Sequence, residues 1–415
     1  MTRDMIQLSP RGQATYGLLS LIVALLLLYG GSLIASALHQ LPSHPLDGLI
    51  DSRDIKRISE RAFQLTILSG FVSAGVMMAG EGPSVRTVLW LRRLWTALAV
   101  VSVALSPFDL DAALDLAAAL ALLLLAAVSF LVAGGYASAY LRVWQGSLLL
   151  IVISFVAGQL LEGRALDAVR GFQIQVAYPI AGLSVMFWLM RRYSRVDEEW
   201  AADGVRITAL LVFLAGSLIS LGRLELPAVV SLGATLLIPL CTIILAGHSY
   251  RALSSRNENA SLAPHWIAAA TFFWLVGGGF LGTLSIQPAI GEAMRGTDFA
   301  QAQDWLARWV PLAIVLALVN EGASSLRGDN RRVTGYVPLW LIAFGAGLAS
   351  IVQTCRGVAQ IYLSDVAAVE ASAMLELLLP LTLVWIICLF AVAVGIVTYA
   401  LGFWLRRPRI RVVEG

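Results

Sequence analysis

The sequence predicts an all-α membrane protein, a bundle of twelve transmembrane helices, and three observations predict it. Of the 415 residues, 59% are hydrophobic and only 13% are charged, about half the charged share of a soluble domain. The mean hydropathy is +0.81. Apolar runs near twenty residues recur along the whole chain, each long enough to cross a hydrocarbon layer of about 30 Å as a helix. The expected spans are 15–38, 62–80, 88–106, 112–134, 145–162, 173–190, 205–222, 227–247, 266–286, 306–325, 336–358 and 377–404.

The first span carries Ala35-Ser36-Ala37, which resembles a signal-peptidase site. Its apolar run of roughly 24 residues is long for a signal sequence, so it reads as a retained helix. The second holds Gln64, and Asp115 opens the fourth. Arg92 and Arg93 interrupt the start of the third, as Arg308 and Glu321 flank the tenth. The fifth is apolar apart from its ends and Gln159, and the seventh is apolar after Arg206. The sixth and eighth contain Pro179 and Pro239, each compatible with a kinked helix. In the ninth, Gly277, Gly278, Gly279 and Gly282 form a small-residue face suited to close helix packing. The eleventh ends near Arg356, and the twelfth is closed by Arg406-Arg407-Pro408-Arg409. With both termini in the cytoplasm, about two thirds of the 29 Lys and Arg residues fall on the inner side, as membrane insertion favours. The location implied is the inner membrane of a bacterium. The connections 39–61, 191–204 and 248–265 are too short to fold alone, so residues 1–415 form one transmembrane domain.

Chemistry is sparse. The net charge of +3 is small and scattered, which excludes a nucleic-acid partner. Cys241, Cys355 and Cys388 lack metal-ligand spacing and read as buried small hydrophobes. His39, His44, His248 and His265 all fall near membrane surfaces. No catalytic triad, phosphate loop, dinucleotide fingerprint or HExxH helix occurs. Asp115, Glu321 and Arg356 lie toward span ends, where a proton path would need ionisable groups deeper. Polar neutral residues are Gln64, Gln159, Gln173, Gln175, Gln287, Gln303, Gln353 and Gln360, mostly in the outer half of the bilayer. They read either as interhelical hydrogen bonding or as the lining of a polar cavity, with no metal. Arg356 either meets an anion or snorkels to a lipid phosphate, and the snorkelling reading is preferred.

Several stretches, in order along residues 50–405, resemble the large subunit of heme–copper oxidases. The nearest branches are the cbb3-type cytochrome c oxidases and the nitric oxide reductases. Glu60 through Val72 looks like the family's second helix, R-T-L-H-T-N-A-V-x-F-G-W-V. Arg170-Gly171-Phe172-Gln173 with Ala181-Gly182 is similar to the sixth, Y-G-H-N and then T-A-G. Gly216 through Leu226-Pro227 resembles the seventh, and Leu236 through Pro239 the eighth. Gly296 through Trp305 looks like Y-T-D-W-T-x-G-H-V-H at the tenth, and Arg356 through Gln360 like A-G-x-x-Q-G at the eleventh. Twelve spans with both termini inside is that family's core layout.

The resemblance implies hemes and a copper held by six histidines, and this chain departs from it at every one. The second-helix ligand falls on Phe63, the sixth-helix ligand on Phe172 and the seventh-helix pair near Ile219 and Ser220. The tenth-helix pair falls on Gln303 and Trp305, and the ninth-helix glutamate on Leu281 before Gly282. Heme iron and copper call for imidazole donors, which these side chains do not supply. The expectation is therefore a fold without its cofactors, its vacated space partly refilled by Phe63, Phe172 and Trp305. Such a chain would be a structural or assembly subunit of a respiratory membrane complex, with the lipid bilayer and other membrane or redox subunits as partners. Two alternatives stay open: a transporter or channel for a small neutral molecule, and an active oxidase or nitric oxide reductase with atypical ligands. The resemblance also brings Gln64, Gln173 and Gln303 near one another, and with Arg356 they form the expected polar cavity.

Overall fold

The computed structural model describes residues 9–41, 51–79, 84–108, 111–133, 138–222, 228–256, 261–294, 296–327 and 334–405. Among these residues there is no β-strand, only an isolated bridge between Ser194 and Arg256. A chain this apolar must satisfy its backbone internally once in lipid, and helices do so segment by segment. The first half builds α1 (Pro10–Leu38), α2 (Ser52–Met78), α3 (Val85–Leu105), α4 (Asp111–Ala133) and α5 (Ala139–Leu160). Next comes α6 (Gly163–Phe172), which runs through a π turn at Gln173–Ala177 into α7 (Tyr178–Tyr193). After α8 (Glu198–Gly222) and α9 (Ala228–Ser254), α10 (Ala263–Phe273) continues through a π segment, Trp274–Leu281, into α11 (Gly282–Ile286). A short α12 (Pro288–Met294) precedes α13 (Asp298–Arg327), α14 (Tyr336–Ile361) with its π turn Tyr362–Val366, and α15 (Ala371–Leu405).

Eleven helical stretches among the described residues are long and apolar enough to cross a bilayer. They coincide with eleven of the expected spans. The remaining one, 112–134, coincides with α4, whose described apolar stretch is Asp115–Leu125. The first three helices begin where short polar side chains cap free backbone donors. Ser9 accepts from the Gly12 amide at 3.2 Å, Asp51 from Arg53 at 2.8 Å and Ser84 from Thr87 at 3.2 Å.

The innermost helices are α2 and α13, whose apolar windows are each 83% buried, against 22% for α3 at the rim. Along α13, Leu312 through Val319 are all buried. Deleting the few polar contacts between helices would orphan groups in a medium without water. Trp95 donates to the Ser69 hydroxyl at 2.9 Å, tying α3 to α2. Asn320 donates to the Tyr399 hydroxyl at 2.9 Å and accepts from Thr334 at 3.0 Å, tying α13 to α15 and to the start of α14. The ninth-span glycines do sit at a close approach, since a Cβ on Gly277 would lie 2.6 Å from that of Leu306 on α13. Cys241 and Cys388 are buried as expected, but Cys355 is exposed, because α14 turns that position away from its neighbours.

Proline chemistry explains the π turn between α6 and α7. Pro179 has no N–H and its ring crowds the carbonyl one turn earlier. The wider turn lets the Tyr178 amide donate back to the Gln173 carbonyl and swings the Gln175 carbonyl outward. That carbonyl lies against Gly216 of α8, where a Cβ would stand only 2.5 Å away.

Ion pairs gather at the two ends of the bundle. At one end Glu321 holds Arg192 at 2.8 Å and the Ser261 hydroxyl at 2.8 Å. At the other, Arg61 pairs with Asp115 at 2.6 Å, and Arg356 with Asp298 at 3.0 Å. Asp115, Glu321 and Arg356 therefore do lie toward span ends.

A polar cleft as candidate functional site

The cleft sits at the end of the bundle where α1 finishes and α2 begins, and helical periodicity builds each of its walls. On α13, Gln301, Asp304, Trp305 and Arg308 recur at spacings of three and four and face it together. On α2, Lys56, Ser59 and Glu60 do the same, and on α1 so do Tyr29, Leu33 and Ser36, with Gln40 in the turn that follows. Gln353 of α14 and Trp385 and Leu389 of α15 complete the lining. The open cleft has a volume of about 510 Å³, within the range of small-molecule sites.

Its electrostatics are balanced, with Lys56 and Arg308 set against Glu60 and Asp304. Arg308 lies with its guanidinium carbon 5.4 Å over the ring of Phe63, a cation–π contact. Phe63 in turn packs against Tyr29, with ring centroids 5.6 Å apart. Trp305 is held by an indole N–H donated to the Ala346 carbonyl at 3.0 Å, and its ring meets that of Trp309 at 5.7 Å. Gln353 is only 5% exposed, yet its Oε1 has no hydrogen-bond partner.

No protein-family model matches this chain, and no curated protein matches it.

The other positions singled out from the sequence lie elsewhere. Phe172 packs edge-on against Phe213 of α8 at 6.2 Å. The Ser220 hydroxyl donates to the Gly216 carbonyl of its own helix at 2.7 Å, and the Ile219 side chain lies outside the described residues. Gln303 borders a second void of about 30 Å³, together with Gln175, Gly216, Trp274 and Gly282. Leu281 is buried beside Gly282. Among the described residues, no three His, Cys, Asp or Glu side chains converge as a metal-binding group.

Gln64, Gln173, Gln303 and Arg356 have separate surroundings. Gln64 accepts from Arg61 at 2.9 Å, beside the Arg61–Asp115 pair. Gln173 is part of the π turn, and its Nε2 is buried without a partner. Arg356 meets an anion within the chain. It pairs with Asp298 and lies 5.8 Å over Trp385, while Gln360 bonds the same aspartate at 2.9 Å. Trp385 thus has Arg356 over its ring and also lines the cleft. Lys56, Glu60, Asp304 and Arg308 were legible as charges but not as a site, since only the rotation of each helix shows which way they face.

Proposed function

We propose that this multi-pass membrane protein is a cofactor-less relative of the heme–copper oxidase large subunit. Its role is that of a structural or assembly subunit in a bacterial inner-membrane respiratory complex. The observation that carries the reading is the packing at the family's ligand positions. Phe63 is occupied by its stack with Arg308 and Tyr29, Phe172 by Phe213, and the Trp305 indole by the Ala346 carbonyl. Ser220 spends its hydroxyl on its own helix. Beside Gln303 the free space is about 30 Å³, room for a water molecule and far too little for a porphyrin, and the larger cleft that Trp305 borders has no histidine in its lining. None of these side chains offers the imidazole nitrogen that heme iron and copper require, so the residues present do not fit the metal groups.

The test is a pyridine hemochrome assay on the purified full chain, paired with gentle-detergent extraction from native membranes. The expected result is a preparation without heme bands that co-purifies with redox subunits. Stoichiometric heme in the isolated chain would overturn the cofactor-less part. Extraction as a lone species, free of any redox subunit, would overturn the assembly role.

A further inference from the structure

We infer that the cleft between α1, α2, α13, α14 and α15 is a binding site for a small zwitterion of the amino-acid class. The inference does not depend on the role proposed above, because it concerns a site that no structural subunit needs. A volume of about 510 Å³ admits a molecule of that size with room for a hydration shell.

The lining selects the charge type. Lys56 and Arg308 offset Glu60 and Asp304, so a ligand of large net charge of either sign gains nothing overall. A molecule with one positive and one negative end can meet both kinds of partner. Arg308 presents its face to Phe63 and interacts with the Tyr29 hydroxyl, and the five N–H donors of its fork leave others for a carboxylate. The opposite requirement comes from Gln353, whose Oε1 is buried without a donor. An unpaired buried carbonyl is costly, and a turn of the Gln353 side chain toward the cleft would let an ammonium group supply the N–H it lacks. The indole planes of Trp305 and Trp385 suit the same cationic end or an apolar side chain. Below the cleft, Leu312 through Val319 of α13 are all buried apolar side chains, so the polar lining stops there.

The experiment uses the full chain in detergent and reads thermal unfolding against concentration for each proteinogenic amino acid. Three analogues of any binder are run beside it. The methyl ester keeps the ammonium only, the deaminated acid keeps the carboxylate only, and the N-trimethyl betaine keeps both charges but has no N–H. At least one amino acid should raise the unfolding temperature saturably, as a ligand of the folded state must. Its three analogues should bind about tenfold more weakly or worse, the usual effect of losing a charge-assisted hydrogen bond. Gln353→Leu should weaken binding to a similar degree while leaving the ligand-free protein folded, since it removes an unpaired polar group. Gln175→Leu, at the separate small void, should bind as the parent does. No saturable shift with any amino acid would overturn the inference. So would an ester, acid or betaine that binds equally well, or a Gln353→Leu protein of unchanged affinity.

Discussion

Arg308 and Phe63 form a stacked pair, 5.4 Å from guanidinium carbon to ring centroid, that joins α13 to α2 beside the polar cleft, which Arg308 lines. Phe63 is 9% exposed and also packs on Tyr29 of α1, so one ring holds three helices together. Phe63→Ala should therefore destabilise the protein by about 3 kcal/mol, from the cavity plus the lost cation–π contact. Phe63→Tyr, which keeps the ring, should cost far less. Thermal unfolding in detergent would measure both, and equal losses for the two variants would contradict the stacking argument.

The two ends of the bundle differ in how deeply their ion pairs are buried. Arg356 and Asp298 are 11% and 9% exposed, whereas Arg192 at the other end is 46% exposed beside Glu321. Removing one member of a buried pair strands its partner, which costs about 3–5 kcal/mol. Asp298→Ala should approach that loss, and Asp298→Ala with Arg356→Met should recover part of it. Glu321→Gln should cost about 1 kcal/mol or less, as for a solvent-screened pair. Chemical denaturation of the single and double variants gives the coupling, and strictly additive losses at Asp298 and Arg356 would refute it.

Much of this architecture was legible in the amino-acid pattern, because a hydrocarbon solvent demands long apolar runs and the chain supplies them. Each expected span coincides with a helix, but the ends were read short. Helix α2 was expected from 62 and begins at Ser52, and α13 was expected from 306 and begins at Asp298. The extra turns carry Lys56, Glu60, Gln301 and Asp304, too polar for a hydropathy window, and these same turns build the cleft. Gln353 stood out as polar, yet its role depends on the rotation of α14, which one sequence does not encode visibly. Gln64, Gln173, Gln303 and Arg356 were expected to share a cavity. Helix rotation and the π turn at Gln173 distribute them instead among four environments.

That π turn makes a sharp comparison possible between two glycines. A Cβ on Gly216 would stand 2.5 Å from the Gln175 carbonyl, a backbone atom that the turn cannot withdraw. A Cβ on Gly282 would stand 3.4 Å from the Gly277 carbonyl and 3.5 Å from the Gln303 amide, near ordinary contact. Gly216→Ala should therefore destabilise by about 1–3 kcal/mol, the range for overpacking, while Gly282→Ala should change stability little. Comparable unfolding temperatures for the two alanine variants would show that α8 can shift away from the turn.

The side of the membrane on which the cleft opens follows from charge. Arg191, Arg192 and Arg195 lie at the end of α7, at the same end of the bundle as Glu321, and the sequence adds the run Arg406-Arg407-Pro408-Arg409 after α15. Basic residues resist translocation, so the prediction is that this end lies in the cytoplasm. On that orientation the cleft, at the α1–α2 end, faces outward, where it would meet solutes before they cross the membrane. A green fluorescent protein fused after Gly415 should fluoresce, and alkaline phosphatase fused there should be inactive. Phosphatase inserted after His44, between the first and second spans, should be active. The reverse pattern would place the cleft, and whatever occupies it, on the cytoplasmic side.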